Sequence, residues 1–75
     1  PEISPFSARL KQARLMCGLS LRELSEKIGE AVSYAALSKY EHGAMQPSSA
    51  VLIALAQALS QSPDFFYRPF RLELS

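Results

Sequence analysis

Apolar residues recur at helical spacing in two short segments near the middle of the chain. In the first segment, Leu21, Leu24 and Ile28 fall on one side of a helix. Ser20 stands before this segment, and Glu23 follows it three residues later. That spacing predicts a capping box, in which the serine hydroxyl accepts from the glutamate amide and the carboxylate accepts from the serine amide. The segment is therefore predicted to be a short helix that begins after Ser20.

A tight turn containing Gly29 separates this helix from the second segment. Glycine ends helices because it adopts the left-handed conformation without a steric clash. The second segment begins after Ser33, another N-cap candidate. It places Leu37 and Tyr40 on one face, and Gly43 ends it. Two short helices joined by a turn, the second with a polar and alanine-rich outer face, form the arrangement that sets a helix into the major groove of DNA.

Three further helices are predicted around this pair. The first begins near Ser7, or one turn earlier with Pro5, and ends at Gly18; the fourth begins after Ser48, and a fifth follows with Pro63 in its first turn. Their apolar faces are Phe6, Leu10, Ala13 and Cys17 in the first, Val51, Leu52, Leu55, Ala56 and Leu59 in the fourth, and Phe65 and Phe66 in the fifth. The pattern predicts an all-α, five-helix domain.

The last eight residues follow a different pattern. Phe70, Leu72 and Leu74 alternate with polar residues, which predicts a strand. A single strand is not stable alone, so it would pair with a second copy across a homodimer or lead into a further domain. We divide the chain into a flexible leader (1–5), a helix-turn-helix domain (6–67) with its recognition helix at about 33–41, and an extended tail (68–75). Phe65 and Phe66 are core residues or, with the tail, part of a dimer interface.

Composition limits the size and the class of the protein. The chain has 75 residues, of which 48% are hydrophobic, enough for one small globular domain. No apolar run approaches the ~18 residues of a membrane span. The first residues show no charged segment followed by an apolar one, so we expect no signal peptide. We therefore expect a cytoplasmic protein. The net charge is only +1, so a monomer is expected to bind DNA weakly and dimerisation to double its contacts.

The sequence offers little support for catalysis or for metal binding. His42 is the only histidine and Cys17 the only cysteine, so neither a metal cluster nor a histidine-activated nucleophile is indicated. The three glycines are isolated and form no phosphate-binding loop. We expect no enzyme, no metal and no cofactor. Cys17 is interpreted as a half-buried structural thiol.

The order and spacing of these positions resemble the Cro/lambda-repressor type of helix-turn-helix regulators, an XRE-like family. The resemblance covers roughly residues 6–66. It rests on Gly18, Leu19 and Ser20, the pair Glu23 and Leu24, Gly29, the pair Val32 and Ser33, Leu37, the Glu41-His42-Gly43 corner, the pair Pro47 and Ser48, and Leu52, Leu55, Ala56 and Leu59. It implies a transcriptional regulator that binds double-stranded DNA with its third helix.

The resemblance also implies roles for individual residues. Candidate contacts to base edges are Tyr34, Ala35, Ser38 and Lys39, and candidate contacts to phosphates are Ser20, Arg22, Ser33, His42, Ser48 and Ser49. Arg14 and Glu41 match positions that form a partly buried ion pair in this family; the alternative for Arg14 is a phosphate contact. For His42 the alternative is an exposed residue that caps the helix end.

Two departures from the family pattern leave other functions open. Leu21 stands where the family usually has a glutamine that bonds a phosphate, and Glu30 and Ala31 lengthen the turn by two residues. Both departures favour a protein-interaction module that no longer binds DNA. A second alternative is the DNA-binding half of an antitoxin, with a toxin bound at residues 65–74. A third is the N-terminal domain of a regulator with a C-terminal peptidase-like effector domain.

Overall fold

The computed structural model describes residues 5–29 and 31–67. It contains four α-helices, α1 (Pro5–Met16), α2 (Leu21–Lys27), α3 (Tyr34–Glu41) and α4 (Ser49–Ala58), followed by a 3₁₀ helix (Pro63–Tyr67). No strand occurs among these residues. The all-α prediction is confirmed at this level, and α1 starts at Pro5, the earlier of the two predicted positions.

The last helical segment is not the predicted fifth α-helix. It has only five residues and begins with Pro63, which has no N–H to donate. The amide of Phe65 bonds the carbonyl of Ser62 at 3.0 Å, an i→i+3 bond of the 3₁₀ type. So short a segment leaves little room for i→i+4 bonds, and the tighter pattern is used instead. The predicted strand, with Phe70, Leu72 and Leu74, lies outside the described residues.

Serine hydroxyls cap three of the helices, as the sequence predicts. Ser20, Ser33 and Ser48 each have extended backbone geometry and accept a bond from the amide three residues later. At α2 the capping box is complete: the carboxylate of Glu23 also accepts from the amide of Ser20 at 2.8 Å. These caps satisfy backbone donors that a helix leaves unpaired at its start.

Helices α3 and α4 end in the same backbone motif, but with different residues. The left-handed position is Gly43 after α3, with φ 77°, and Ser60 after α4, with φ 58°. The closing bonds run from Gly43 N to Tyr40 O (3.2 Å), Ala44 N to Lys39 O (2.9 Å), Ser60 N to Gln57 O (3.3 Å) and Gln61 N to Ala56 O (2.9 Å). This is the Schellman arrangement. Ser60 therefore holds a backbone conformation that favours glycine.

The core is closed by an aromatic cluster between the start of α1, the end of α3 and the 3₁₀ helix. Phe6 packs edge-on against Tyr40, with ring centroids 6.0 Å apart, and lies 5.7 Å from the ring of Phe66. Phe66 is fully buried, which corrects its assignment as a dimer-interface candidate. The rest of the buried core is Leu10, Ala13, Leu24, Val32, Leu37, Leu52, Leu55, Ala56 and Leu59.

Three side chains lie differently from expectation. Cys17 is exposed rather than half-buried, because it follows the last residue of α1, and its thiol reaches the carbonyl oxygen of Leu59, at 3.7 Å. Leu21 stands where the family usually has a glutamine that bonds a phosphate, but it is half-buried and packs against the core. Ser7 is buried at 3% exposure, because the earlier start at Pro5 places it inside the first turn.

Candidate nucleic-acid interface

The turn between α2 and α3 fixes how the two helices meet. Val32 in this turn is 5% exposed and belongs to the core. Its carbonyl accepts a hydrogen bond of 2.8 Å from the buried hydroxyl of Ser25 on α2. The amide of Ala31 bonds the carbonyl of Ile28 at 3.4 Å. These two bonds tie the turn to α2 and to its C-cap residue, just before α3 begins; Glu30 lies outside the described residues.

Helix α3 has one buried and one exposed side. Leu37 is fully buried and Tyr40 is 6% exposed, and the helix packs against both α1 and α2. The sequence-predicted base contacts are Tyr34, Ala35, Ser38 and Lys39, of which Ser38 is half-buried and the others are exposed. Their spacing places Ala35 and Lys39 opposite Leu37, Ser38 beside them, and Tyr34 at the edge of this side. Together the four residues carry one cation, two hydroxyls, one aromatic ring and one methyl group.

The ion pair between Arg14 and Glu41 holds α3 against α1. Arg14 Nε lies 2.6 Å from Glu41 Oε2, and Nη2 lies 3.0 Å from Oε1. A third donor, Nη1, bonds the carbonyl of Leu19 at 2.8 Å. The hydrogen bond with Glu41 raises the pKa of Arg14, and burial acts against it. These three donors are engaged inside the domain, two of them in the ion pair that the structural interpretation of Arg14 expects.

The imidazole of His42 is oriented by α3. Its Nδ1 lies 2.7 Å from the carbonyl oxygen of Ser38 and 3.4 Å from the hydroxyl of the same residue. A carbonyl only accepts, so this contact assigns the hydrogen to Nδ1. In the neutral ring Nε2 is then an acceptor. His42 can therefore donate to a phosphate through Nε2 only in its charged form.

The serines predicted to contact phosphates are N-caps or lie next to one. The hydroxyls of Ser20, Ser33 and Ser48 accept from backbone amides at 3.0, 3.1 and 3.3 Å. A hydroxyl that accepts one bond keeps its own hydrogen for donation. Capping is thus compatible with a phosphate contact. Ser49, the first residue of α4, is exposed.

Arg22 and Tyr34 form a contact that the sequence analysis did not find. The guanidinium carbon of Arg22 lies over the ring of Tyr34, 5.7 Å from its centroid. The two residues stand near the starts of α2 and α3 and are twelve positions apart. Helical periodicity links residues three or four apart, so no local signal joins them. Both side chains are exposed.

The structure thus brings some of the candidate residues together in pairs. Arg22 meets Tyr34, Ser38 meets His42, and Arg14 meets Glu41. Ser48 and Ser49 lie on a separate element, at the start of α4. Within residues 5–29 and 31–67, no group of three or more His, Cys, Asp or Glu residues is placed to hold a metal ion. None of the helices in that same part of the chain has the length and apolar character needed to cross a membrane.

Comparison with known families agrees with this geometry. A family model described as helix-turn-helix matches residues 10–66, a stretch that holds α2, α3, α4 and most of α1 and of the 3₁₀ helix. The chain belongs to this helix-turn-helix family, and the resemblance to regulators of the Cro/lambda-repressor type is confirmed. The family is one of DNA-binding transcriptional regulators and is generally non-enzymatic. No match to the chain was found among curated proteins, and none among solved structures.

Proposed function

We propose that the chain binds double-stranded DNA sequence-specifically as a homodimer, with α3 in the major groove, and thereby regulates transcription. The observation that carries the proposal is the exposed side of α3. It is narrow because it includes Ala35, and Lys39 and Ser38 supply its hydrogen-bond donors. The opposite side of the same helix is fixed by the buried Leu37 and by the ion pair of Glu41. A rigid helix with small and polar outer residues suits the width of a major groove.

Each outward residue has a base or backbone group that it suits. Lys39 donates to O6 and N7 of a guanine, the commonest kind of specific contact for a cation. Ser38 bonds either kind of base, and Ala35 packs against a thymine methyl group. Tyr34, at the first position of α3, lies where the helix meets the edge of the groove.

A second set of residues would bind the sugar-phosphate backbone and so fix the position of α3. The proposed phosphate contacts are Ser20, Arg22, Ser33, His42, Ser48 and Ser49. Two of these, Arg22 and charged His42, carry a positive charge; the serines contribute hydroxyl donors. Contacts of this kind give affinity without sequence preference and weaken as salt rises.

The proposal includes a homodimer because one domain offers few cations for binding DNA. The net charge is +1, whereas two copies double both the phosphate contacts and the base contacts. Two recognition helices about 34 Å apart would meet successive major grooves on one side of the duplex. For the dimer surface we propose the half-buried Phe65 together with the tail residues Phe70, Leu72 and Leu74. Phe66 is excluded by its burial.

The proposal is tested by comparing two lysine variants on two duplexes. Lys39→Ala removes a proposed base contact, and Lys11→Ala removes the same charge from the exposed side of α1. On a duplex selected from a random pool, we expect Lys39→Ala to weaken binding by roughly 5- to 100-fold and Lys11→Ala to have little effect. On a scrambled duplex the two variants should behave alike. Equal losses on both duplexes would contradict a base contact by Lys39.

A second candidate function is a protein-interaction module, including an antitoxin half that binds a toxin at the C-terminal end. The chain exposes the large apolar side chains of Leu15, Met16, Ile53 and Tyr67, which a protein partner would cover. An interaction module that no longer binds DNA predicts weak binding to every duplex, and tight, sequence-selective DNA binding by the chain alone would count against it. The DNA-binding antitoxin half predicts instead a stable complex with a toxin purified from the native host, and the absence of such a complex would count against it.

A further inference from the structure

The contact between Arg22 and Tyr34 links the two helices at the surface proposed to meet DNA. Arg22 is the second residue of α2, and Tyr34 is the first residue of α3. The guanidinium lies over the ring at 5.7 Å from its centroid, which is within the range of a cation–π contact. Tyr34 is 51% exposed, so the pair lies at the surface and not in the core.

A guanidinium held over an aromatic ring keeps its hydrogen-bonding capacity. A guanidinium has five N–H donors, and a cation–π contact with one ring does not use them as hydrogen bonds to an oxygen acceptor. The edge of Arg22 therefore stays available to an oxyanion. Arg14 shows the opposite case, because Glu41 and the Leu19 carbonyl occupy its donors.

The contact with Tyr34 also limits the conformational freedom of the Arg22 side chain before DNA binds. Arginine has many rotamers, and ordering them opposes binding. A contact that favours one orientation in the free protein reduces the entropic cost of ordering the side chain on binding, an effect called preorganisation. Leu21, the neighbour of Arg22, packs against the core. It therefore cannot make the phosphate bond of the glutamine that the family usually has at this position.

We propose that Tyr34 is a positioning residue that holds the Arg22 guanidinium for a bidentate bond to a DNA phosphate beside α3. Tyr34 then acts on affinity through Arg22, and the backbone contact is coupled to the start of the recognition helix. This inference rests on the proposed function in one respect only, that the chain binds DNA. Because a phosphate contact is independent of sequence, the coupling should appear on any duplex.

A double-mutant cycle tests the coupling. The variants are Arg22→Ala, Tyr34→Leu and the double variant, with Tyr34→Phe as the control that keeps the ring and removes the hydroxyl. Binding of each is measured against a duplex selected from a random pool and against its scrambled form, over a range of salt concentrations. Thermal unfolding verifies that all variants fold, which is expected since both positions are exposed.

We expect Tyr34→Leu to weaken binding about two- to fivefold, the range of an exposed cation–π contact, and Tyr34→Phe to bind like the unmodified chain. In the Arg22→Ala background, Tyr34→Leu should have no further effect. Arg22→Ala should lower the slope of log affinity against log salt by about one per site. These results should hold on both duplexes.

Several results would overturn the inference. Tyr34→Leu could weaken binding equally with and without Arg22, or Tyr34→Phe could be as damaging as Tyr34→Leu; either result would show that Tyr34 contacts DNA directly. An unchanged salt slope in Arg22→Ala would exclude the phosphate bond. Coupling on the scrambled duplex without any preference for the selected one would support this inference and contradict sequence-specific recognition. Failure of the unmodified chain to bind either duplex would overturn both.

Discussion

The carboxylate of Glu41 is held by two nitrogens of Arg14, with Nε–Oε2 at 2.6 Å and Nη2–Oε1 at 3.0 Å. The pair joins the last turn of α1 to the last residue of α3, and both side chains are nearly buried, at 11% and 5% exposure. Each of these nearly buried charges is compensated by the other, so removing one leaves the other without compensation. The pair fixes α3 against α1, on the side away from the exposed residues Ala35 and Lys39.

Removing one partner of this pair should be more damaging than removing both. We expect Arg14→Met or Glu41→Leu alone to lower the free energy of unfolding by about 3–5 kcal/mol, because each leaves a buried charge without its partner. The double variant should lose only about 1 kcal/mol, mainly from the unpaired Leu19 carbonyl. Urea unfolding at low temperature measures all three. Losses that simply add in the double variant would show that the two residues act independently.

A glycine at the end of α4 should stabilise the domain. Ser60 has φ 58°, a left-handed conformation that costs a residue with a Cβ about 1–2 kcal/mol and glycine almost nothing. Part of this gain is lost to the greater freedom of glycine in the unfolded chain. We expect Ser60→Gly to raise stability by about 0.5–1 kcal/mol, or a melting temperature higher by roughly 2–8 °C.

The matched control for this change is the reverse substitution at the end of α3. Gly43 has φ 77°, and an added Cβ would lie 3.6 Å from the nearest side-chain atom, an ordinary contact. Gly43→Ala should therefore lose about 0.5–1 kcal/mol through its backbone alone, the same balance with the opposite sign. Should Ser60→Gly lower the melting temperature, the account of the helix end would be wrong.

Two buried serines should respond oppositely to replacement by alanine. The hydroxyl of Ser7 is buried and has no hydrogen-bond partner in the described part of the chain, so Ser7→Ala should be neutral or stabilising by up to about 1 kcal/mol. The hydroxyl of Ser25 bonds the Val32 carbonyl at 2.8 Å. Ser25→Ala leaves that carbonyl unpaired and should cost about 1–2 kcal/mol. Similar losses in both variants, measured by urea unfolding, would contradict the assignment of Ser7 as an unpaired donor.

The capping box of α2 should make stability depend on pH in the acid range. The hydrogen bonds with the backbone and the side chain of Ser20 lower the pKa of Glu23 below its usual range. A carboxyl whose pKa is lower in the folded state stabilises the fold at pH values above its unfolded pKa of about 4.3. That contribution is lost as the pH falls through the folded pKa.

Glu23→Gln should accordingly lower the melting temperature at pH 7 and have no effect near pH 2. The control is Glu26→Gln, which removes the same charge from an exposed position of α2 that takes no part in the cap. The control should show a smaller difference between the two pH values. Thermal unfolding across this range measures both variants, and equal pH profiles would mean that the cap does not act through the carboxylate.

Local signals predicted most of the helical framework. The helix starts were predicted from Ser20, Ser33 and Ser48, because N-capping depends only on residues within one turn. The end of α3 was predicted from Gly43 for the same reason. The resemblance to a known family added the contact between Arg14 and Glu41, which no local pattern links.

What the sequence did not predict depends on tertiary packing. Packing between the helices determines three such features: the half-burial of Leu21, the exposure of Cys17 and the contact of Arg22 with Tyr34. The segment Pro63–Tyr67 is a 3₁₀ helix because it is short. Apolar periodicity does not define the length of a helix to within one or two residues.

The measurement that tests the central proposal most directly is selection of binding sites from a random pool of duplexes. If α3 reads the major groove in a homodimer, the enriched sequence should be two-fold symmetric, with half-sites about 10 base pairs apart from centre to centre. Lys39→Ala should lose or relax the preference at one position in each half-site. No enrichment, with equally weak binding of selected and scrambled duplexes, would contradict the proposal that this domain recognises an operator.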